Sequence, residues 1–308
     1  TEQKHLAKLW DQLIFVSHEP LIQLDAYEQI WQYATQGGSP QHLEPMRKPI
    51  TQAAEDFKKL LVEVEPKQLN AALEFAAKAY RRPLSEKEGK NLRDLYAKLR
   101  SQNINHEDSI QLLLARIFIS SGFLYKEELP PAGETQKPVS AYELASRLSY
   151  FLWSSQPDDE LLALAEDRSL LKAEVLKAQL TRMLQDPRVR RLATEFACAW
   201  LHIHGFDQQG EKSEKHFPTF NSVKGALYEE SIQFFTDFFQ NKRPVLNLLN
   251  SNDMFVNDQL AKHYGIPGIS GKEFRKISDA EKYQRGGILG LGATLAQHSG
   301  ASRTSPIL

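Results

Sequence analysis

Ser140-Ala-Tyr-Glu-Leu-Ala-Ser-Arg-Leu-Ser-Tyr-Phe-Leu-Trp-Ser-Ser-Gln-Pro-Asp-Asp-Glu-Leu161 decides the fold class. Ser140 and Glu143 stand at the spacing of a capping box, in which each side chain bonds the other residue's backbone N–H at a helix start. Leu144, Leu148, Phe151 and Leu152 then recur at helical spacing. The pattern stops before Pro157, because proline pushes the residue ahead of it out of the helical region. Asp158-Asp-Glu160 opens another short helix, its acids favoured beside the positive end of the dipole.

The same grammar extends both ways along the chain. Upstream, Leu6, Leu9, Trp10, Leu13 and Ile14 form one apolar stripe, and Leu69, Leu73, Phe75, Ala76, Ala79 and Tyr80 form another. Ser85-Glu-Lys-Glu88 is a further capping box, opening a helix through Leu92, Leu95, Tyr96 and Leu99. A helix is expected from about Asp108 to Ser121, ending near Gly122. Downstream, Asp186-Pro187 reads as an N-cap and first helical position, opening a helix through Leu192, Phe196 and Trp200. Tyr228 to Phe239 carries the most apolar helix face. Beyond Gly265 the glycines mark turns, with one helix near Gly286 to Gln297.

Strand-like alternation is nearly absent, so the expectation is an all-α protein: an irregular multi-helix bundle in two helical subdomains, with glycine-rich loops near the C-terminus. The proline pairs of Pro130-Pro-Ala-Gly-Glu-Thr-Gln-Lys-Pro138 resist helix, which places a linker at 130–139 between subdomains 1–129 and 140–308.

With 308 residues, 41% of them hydrophobic, the chain is long enough to bury one or two real cores. Its 38 Lys+Arg against 39 Asp+Glu create no global field for a nucleic-acid partner. No apolar run reaches the length of a transmembrane segment, and Thr1-Glu-Gln-Lys-His5 has no feature of a signal peptide. The chain reads as cut at both ends, so an export signal could have been removed. The single cysteine, Cys198, excludes a disulfide framework and any Cys-x-x-Cys motif within these residues, and its setting suits a buried small hydrophobe.

Several separated blocks resemble, in order, a family of exported bacterial proteins abundant in planctomycetes, built from domains of unknown function associated with c-type cytochrome segments. They are Ala76-Ala-Lys-Ala-Tyr-Arg-Arg-Pro-Leu-Ser-Glu-Lys-Glu88, Phe118-Ile-Ser-Ser-Gly-Phe-Leu-Tyr125 and the stretch Ser140 to Leu161. Asp186-Pro-Arg188 with Phe196 and Trp200-Leu201, then Asp253 to Gly265, then Arg303-Thr-Ser-Pro306, complete the set. Ser121-Gly122 replaces the family's proline. The likeness runs from about residue 70 to the end. It implies a periplasmic or otherwise exported protein, redox-linked, partnered with a c-type cytochrome domain in cis or in trans. It also implies haem c in the full-length protein, not covalently attached within these residues.

Candidate site residues follow. His263, late in a helix and before a glycine turn, could ligate a haem iron or another metal, act as a base, or simply cap the helix C-terminus. His298 and Arg303 lie in a hydroxyl-rich loop that could hold an anion, or in a turn whose hydroxyls satisfy their own backbone. His202 and His204 would share a face if extended and could bind a metal; the alternative is two solvated imidazoles. Met254 could serve as an axial thioether, and Trp153, Trp200 and the phenylalanines 234 to 239 could pack on a porphyrin. For Met254 and these aromatic residues, ordinary core packing is the plainer account. Asp158 to Glu160 read as capping, and Arg147 is expected to form a buried ion pair with Asp158. The leading expectation is a scaffold or partner module supporting electron transfer by a haem segment outside these residues. The alternatives are an enzyme domain acting on a polysaccharide or related polymer, with His263, His298 and Arg303 in its site, and a purely structural interaction module.

Overall fold

The computed structural model describes residues 19–37, 40–126, 128, 137–208 and 212–303. The stripe Leu6 to Ile14, most of the 130–139 segment and Thr304 to Pro306 lie outside the described residues. The chain is an all-α protein that divides into two compact units, Thr1–Leu124 and Tyr125–Leu308. Among the described residues no helix is long and apolar enough to cross a membrane.

In the first unit, α1 (Pro20–Gly37) and α2 (Glu44–Ala79) precede α3 (Glu86–Ser101), α4 (His106–Phe118) and the single turn α5 (Ser121–Leu124). Their core joins Ala72, Ala76 and Tyr80 of the α2 end to Leu92, Leu113 and Ile117. Both halves of the Ser85–Glu88 capping box form at the start of α3. Helix α4 starts earlier than its periodicity suggests, because the Asn105 side chain accepts the Asp108 N–H at 2.8 Å. It also stops earlier, where Ser120 Oγ donates back to Ile117 O at 2.6 Å.

In the second unit, α6 (Ala141–Trp153), α7 (Asp159–Glu166) and α8 (Ala173–Gln185) surround Trp153, which is fully buried beside Leu161, Leu170 and Met183. The Ser140 capping box and the Asp158 N-cap are both present. The expected Arg147–Asp158 pair is not. Arg147 sits on the exposed face of α6 and bonds Glu128, its Nε 2.7 Å from Oε1. Asp158, turned toward α8, takes Arg182 at 2.8 Å instead, and Arg188 lies 3.5 Å above the Trp153 ring. Partners that reach a corner from another helix are invisible to local spacing.

After Asp186 caps a 3₁₀ turn at Pro187–Val189, the short α9 (Arg190–Leu192) runs into a π-helical turn, Ala193–Cys198. Helix α10 (Phe220–Gln240) then crosses the middle of the larger core, burying Val223, Leu227, Phe234 and Phe235. It is followed by α11 (Asn247–Asn250), β1 (Met254–Val256), α12 (Asp258–Tyr264), β2 (Arg275–Ile277) and α13 (Gly292–Gln297). The two strands pair antiparallel, Met254 opposite Ile277 and Val256 opposite Arg275. All three residues of β1 are buried, so the strand shows no alternation from which sequence could betray it.

Candidate functional site

The second unit contains a cavity of about 310 Å³ between the loop leading into α10, the end of α12, Arg285 and the inner face of α13. One carboxylate, outside the lining, holds two of its wall residues in place. Glu230, 1% exposed, lies on the apolar stripe of α10 and accepts the Tyr264 hydroxyl at 2.7 Å and the Gly292 N–H at 3.2 Å. Those two bonds tie α10, α12 and α13 together at one atom, Oε2. Burial pushes the Glu230 carboxyl up to about 7, opposed only in part by Tyr264, Gly292 and the Arg285 charge. Burial likewise raises the Tyr264 phenol well above its ordinary value, and the Glu230 charge adds to that.

Gly292 is a packing requirement. A Cβ there would lie 2.3 Å from Tyr264 Oη and 2.4 Å from Leu227 Cδ2, so only glycine lets α13 approach α10 this closely. Arg285 closes the same wall: its guanidinium lies 3.9 Å above the Tyr264 ring and donates from Nη1 to Gly290 O at 3.1 Å. Gly287 makes the adjoining turn possible, with φ +55° and a Leu249 carbonyl only 2.3 Å from where a Cβ would stand.

His263, in the last turn of α12, lines this cavity. Partial burial, aided by the Arg285 charge, lowers its pKa. His298 and Arg303 do not line the cavity, although Ser299 and Gly300 between them do. His298 Nε2 donates to Leu201 O at 3.2 Å from an exposed position, and Arg303 is exposed near Gly300. His202 and His204 are exposed on either side of buried Ile203, and His204 lies 3.5 Å from Glu195. Among the described residues no three His, Cys, Asp or Glu side chains gather as a metal-binding group.

Met254 is buried in β1 within the core of α10, and Trp153 is enclosed with its Nε1–H donating to Met183 O at 3.0 Å. Neither presents an edge to an outside group. Trp200 does: it is 52% exposed, one turn beyond Phe196 at 53%, and Phe196 is 6.3 Å from the ring of Phe151 at 60%. Phe151 and Phe196 thus form a solvent-facing aromatic pair at the π-helical turn, with exposed Trp200 four residues further along the chain.

Of the residues singled out from sequence, His263 lines the cavity and Trp200 is exposed outside it, whereas Glu230, Arg285, Lys212 and His216 are not among those singled out. Glu230 carries a readable signal, an acid at a position where Val223, Leu227 and Phe234 make the face apolar. The other three reach the cavity on irregular segments, where no periodicity points inward.

Residues 139–266 match the family model PSD4, a protein of unknown function (DUF1592), and residues 70–128 match PSD5, a protein of unknown function (DUF1595). The first match contains Glu230, His263, Tyr264 and the aromatic patch, and ends before Arg285 and α13. Nothing among curated proteins, and nothing among solved structures, matches the chain.

Proposed function

We propose that this chain is the helical partner module of an exported redox protein, and that it docks a c-type cytochrome segment, in cis or in trans, and supports that segment's electron transfer. The supporting observation is the exposed ring pair Phe151 and Phe196, with exposed Trp200 four residues beyond Phe196, within the stretch similar to PSD4. Clustered aromatic rings facing solvent supply contact area at low entropic cost, which is how interface cores are built.

The residues themselves do not suit a resident haem. Cys198 is the only cysteine and is buried, so covalent attachment through paired thiols is unavailable. The cavity holds on the order of ten water-sized groups, and a porphyrin has several times that many atoms. On this reading the haem, which would supply one-electron transfer, belongs to the docked segment, and the role of this chain is to position it.

The test is made on protein isolated from its own host under conditions that keep associated segments bound. A Soret band travelling with the chain through gel filtration is the expected result; for a segment in trans it is lost from that peak when Phe196→Ser and Trp200→Ser are combined, and for a segment in cis the band stays but mild proteolysis should release the undocked segment much faster. A colourless wild-type assembly, or a haem segment whose retention and protease resistance are both indifferent to the two substitutions, overturns the reading.

A further inference from the structure

The cavity beside α13 has a one-sided chemistry that the docking role does not use. Its floor is apolar, made by Phe217, Phe220, Val223, Leu227 and Leu295. Apart from the Tyr264 phenol its ionisable groups are all bases, Lys212, His216, His263 and Arg285, and no Asp or Glu lines it. In a chain of formal net charge −1, that segregation is local and not a consequence of composition.

Lys212 is already engaged, its ammonium donating to the carbonyls of Ser299 and Gly300, and thus fixes the loop that rims the cavity. The other three line the same space with hydrogen-bonding capacity unspent. The imidazoles of His216 and His263 have no hydrogen-bond partner among the described residues, and Arg285 uses only Nη1, toward Gly290 O. Its planar fork is held in place by the Tyr264 ring 3.9 Å away, and Tyr264 is itself held by Glu230. A guanidinium fixed in orientation, with Nε and Nη2 free, suits a carboxylate, which accepts in two parallel bonds.

We infer that this cavity binds a medium-sized carboxylate, its anionic head on Arg285 between His216 and His263 and its apolar body over Phe220, Val223 and Leu227. The volume of about 310 Å³ sets the size class, roughly ten water-sized groups, which a linear eight-carbon acid fills. An amine of the same length would bring a second positive charge to Arg285, and the alcohol would leave the guanidinium without its anion. The site stands on the cavity and its charges, independently of cytochrome docking.

Calorimetric titration of the folded chain with octanoate, 1-octanol and octylammonium tests this. Octanoate should bind at least tenfold more tightly than 1-octanol, and octylammonium should not bind. Arg285→Gln should weaken octanoate about tenfold and leave 1-octanol unchanged. Because Arg285 also braces Tyr264 and Gly290, a second pair of variants covers the case where Arg285→Gln fails to fold. Leu295→Trp, on a half-exposed wall position, should block both ligands by filling the space. His216→Glu, on an exposed loop, should weaken octanoate alone. No octanoate binding to the folded wild type, equal binding of acid and alcohol, binding of the amine, or octanoate affinity unmoved by His216→Glu and Leu295→Trp each overturns the assignment.

Discussion

Glu230 makes the stability of the larger unit depend on pH in a range where exposed carboxylates no longer titrate. Its folded-state pKa is raised by burial from 4.5 to about 7, so between those values the folded chain keeps a proton that the unfolded chain has lost. Stability from this group is therefore fully present below about pH 4.5 and declines as pH rises to about 7. The full decline is on the order of 3 kcal/mol, at about 1.4 kcal/mol per pKa unit. Glu230→Gln keeps an acceptor for Tyr264 and Gly292 while removing the charge, so its urea unfolding free energy should be flatter across pH 5 to 8 than that of the wild type. Parallel curves for the two proteins would show that Glu230 is ionised without penalty. Cys198 is the opposite case, a group that burial silences. Its thiol is pushed up to about 12 by burial, with Tyr228 and Arg190 opposing only in part. The thiolate is the reactive form, so at pH 8 an aromatic disulfide reagent should release no chromophore from the native chain and one equivalent once urea unfolds it. Quick native labelling would contradict the packing described for the π-helical turn.

Elements that begin with a local signal are legible in the sequence alone. Ser85 with Glu88 and Ser140 with Glu143 each form both bonds of the capping box, and Asp158 caps α7 as its place after Pro157 implies. Ser85→Ala and Ser140→Ala should each cost about 1 kcal/mol, read as lowered urea midpoints with unchanged slopes. Arg82, then the backbone and hydroxyl of Ser85, hold the Glu88 carboxyl down to about 2 against the cost of its burial. The contribution of the α3 cap is therefore present above about pH 4.5 and is lost as pH falls toward 2. What resisted reading was set by distant neighbours. Strand β1 is buried on both faces, the π turn continues an ordinary helical pattern, and Arg147 finds Glu128 where sequence proximity suggested Asp158. At the site, His263 is marked by the glycine after it, while Arg285 and His216 arrive on loops whose course depends on the whole core. The packing of α13 on α10 has the same character. Gly292→Ala forces a methyl onto Tyr264 Oη and Leu227, and overpacking of this kind typically costs about 1–3 kcal/mol. Tyr264→Phe in the same background removes one of the clashing atoms and should recover part of the loss, whereas equal destabilisation in both backgrounds would locate the strain elsewhere.

At the scale of the whole molecule, each unit closes a core of its own. Ala76, Tyr80, Leu113 and Ile117 pack within the first, while the Trp153 core and the α10 core are both internal to the second. Among the described residues, the hydrogen bonds and ring contacts named above for the cavity, the aromatic patch and the Trp153 corner all join residues from Tyr125 onward. At 184 residues, counting Tyr125 to Leu308, the second unit is of a size that buries well over half of its unfolded surface. Expressed alone as residues 125–308, it should unfold in a single cooperative urea transition with Trp153 fluorescence and Cys198 protection intact. It should also retain the acid-over-alcohol preference of the cavity and the pH slope of Glu230, since both arise from groups it contains. Stability effects in the two units should add, because sites without shared partners are usually independent: Ser85→Ala combined with Glu230→Gln in the full chain should give the sum of the single changes. A fragment that melts gradually with Cys198 exposed, or a double variant well short of additive, would mean that residues before Tyr125 complete the second core and that the two units fold as one.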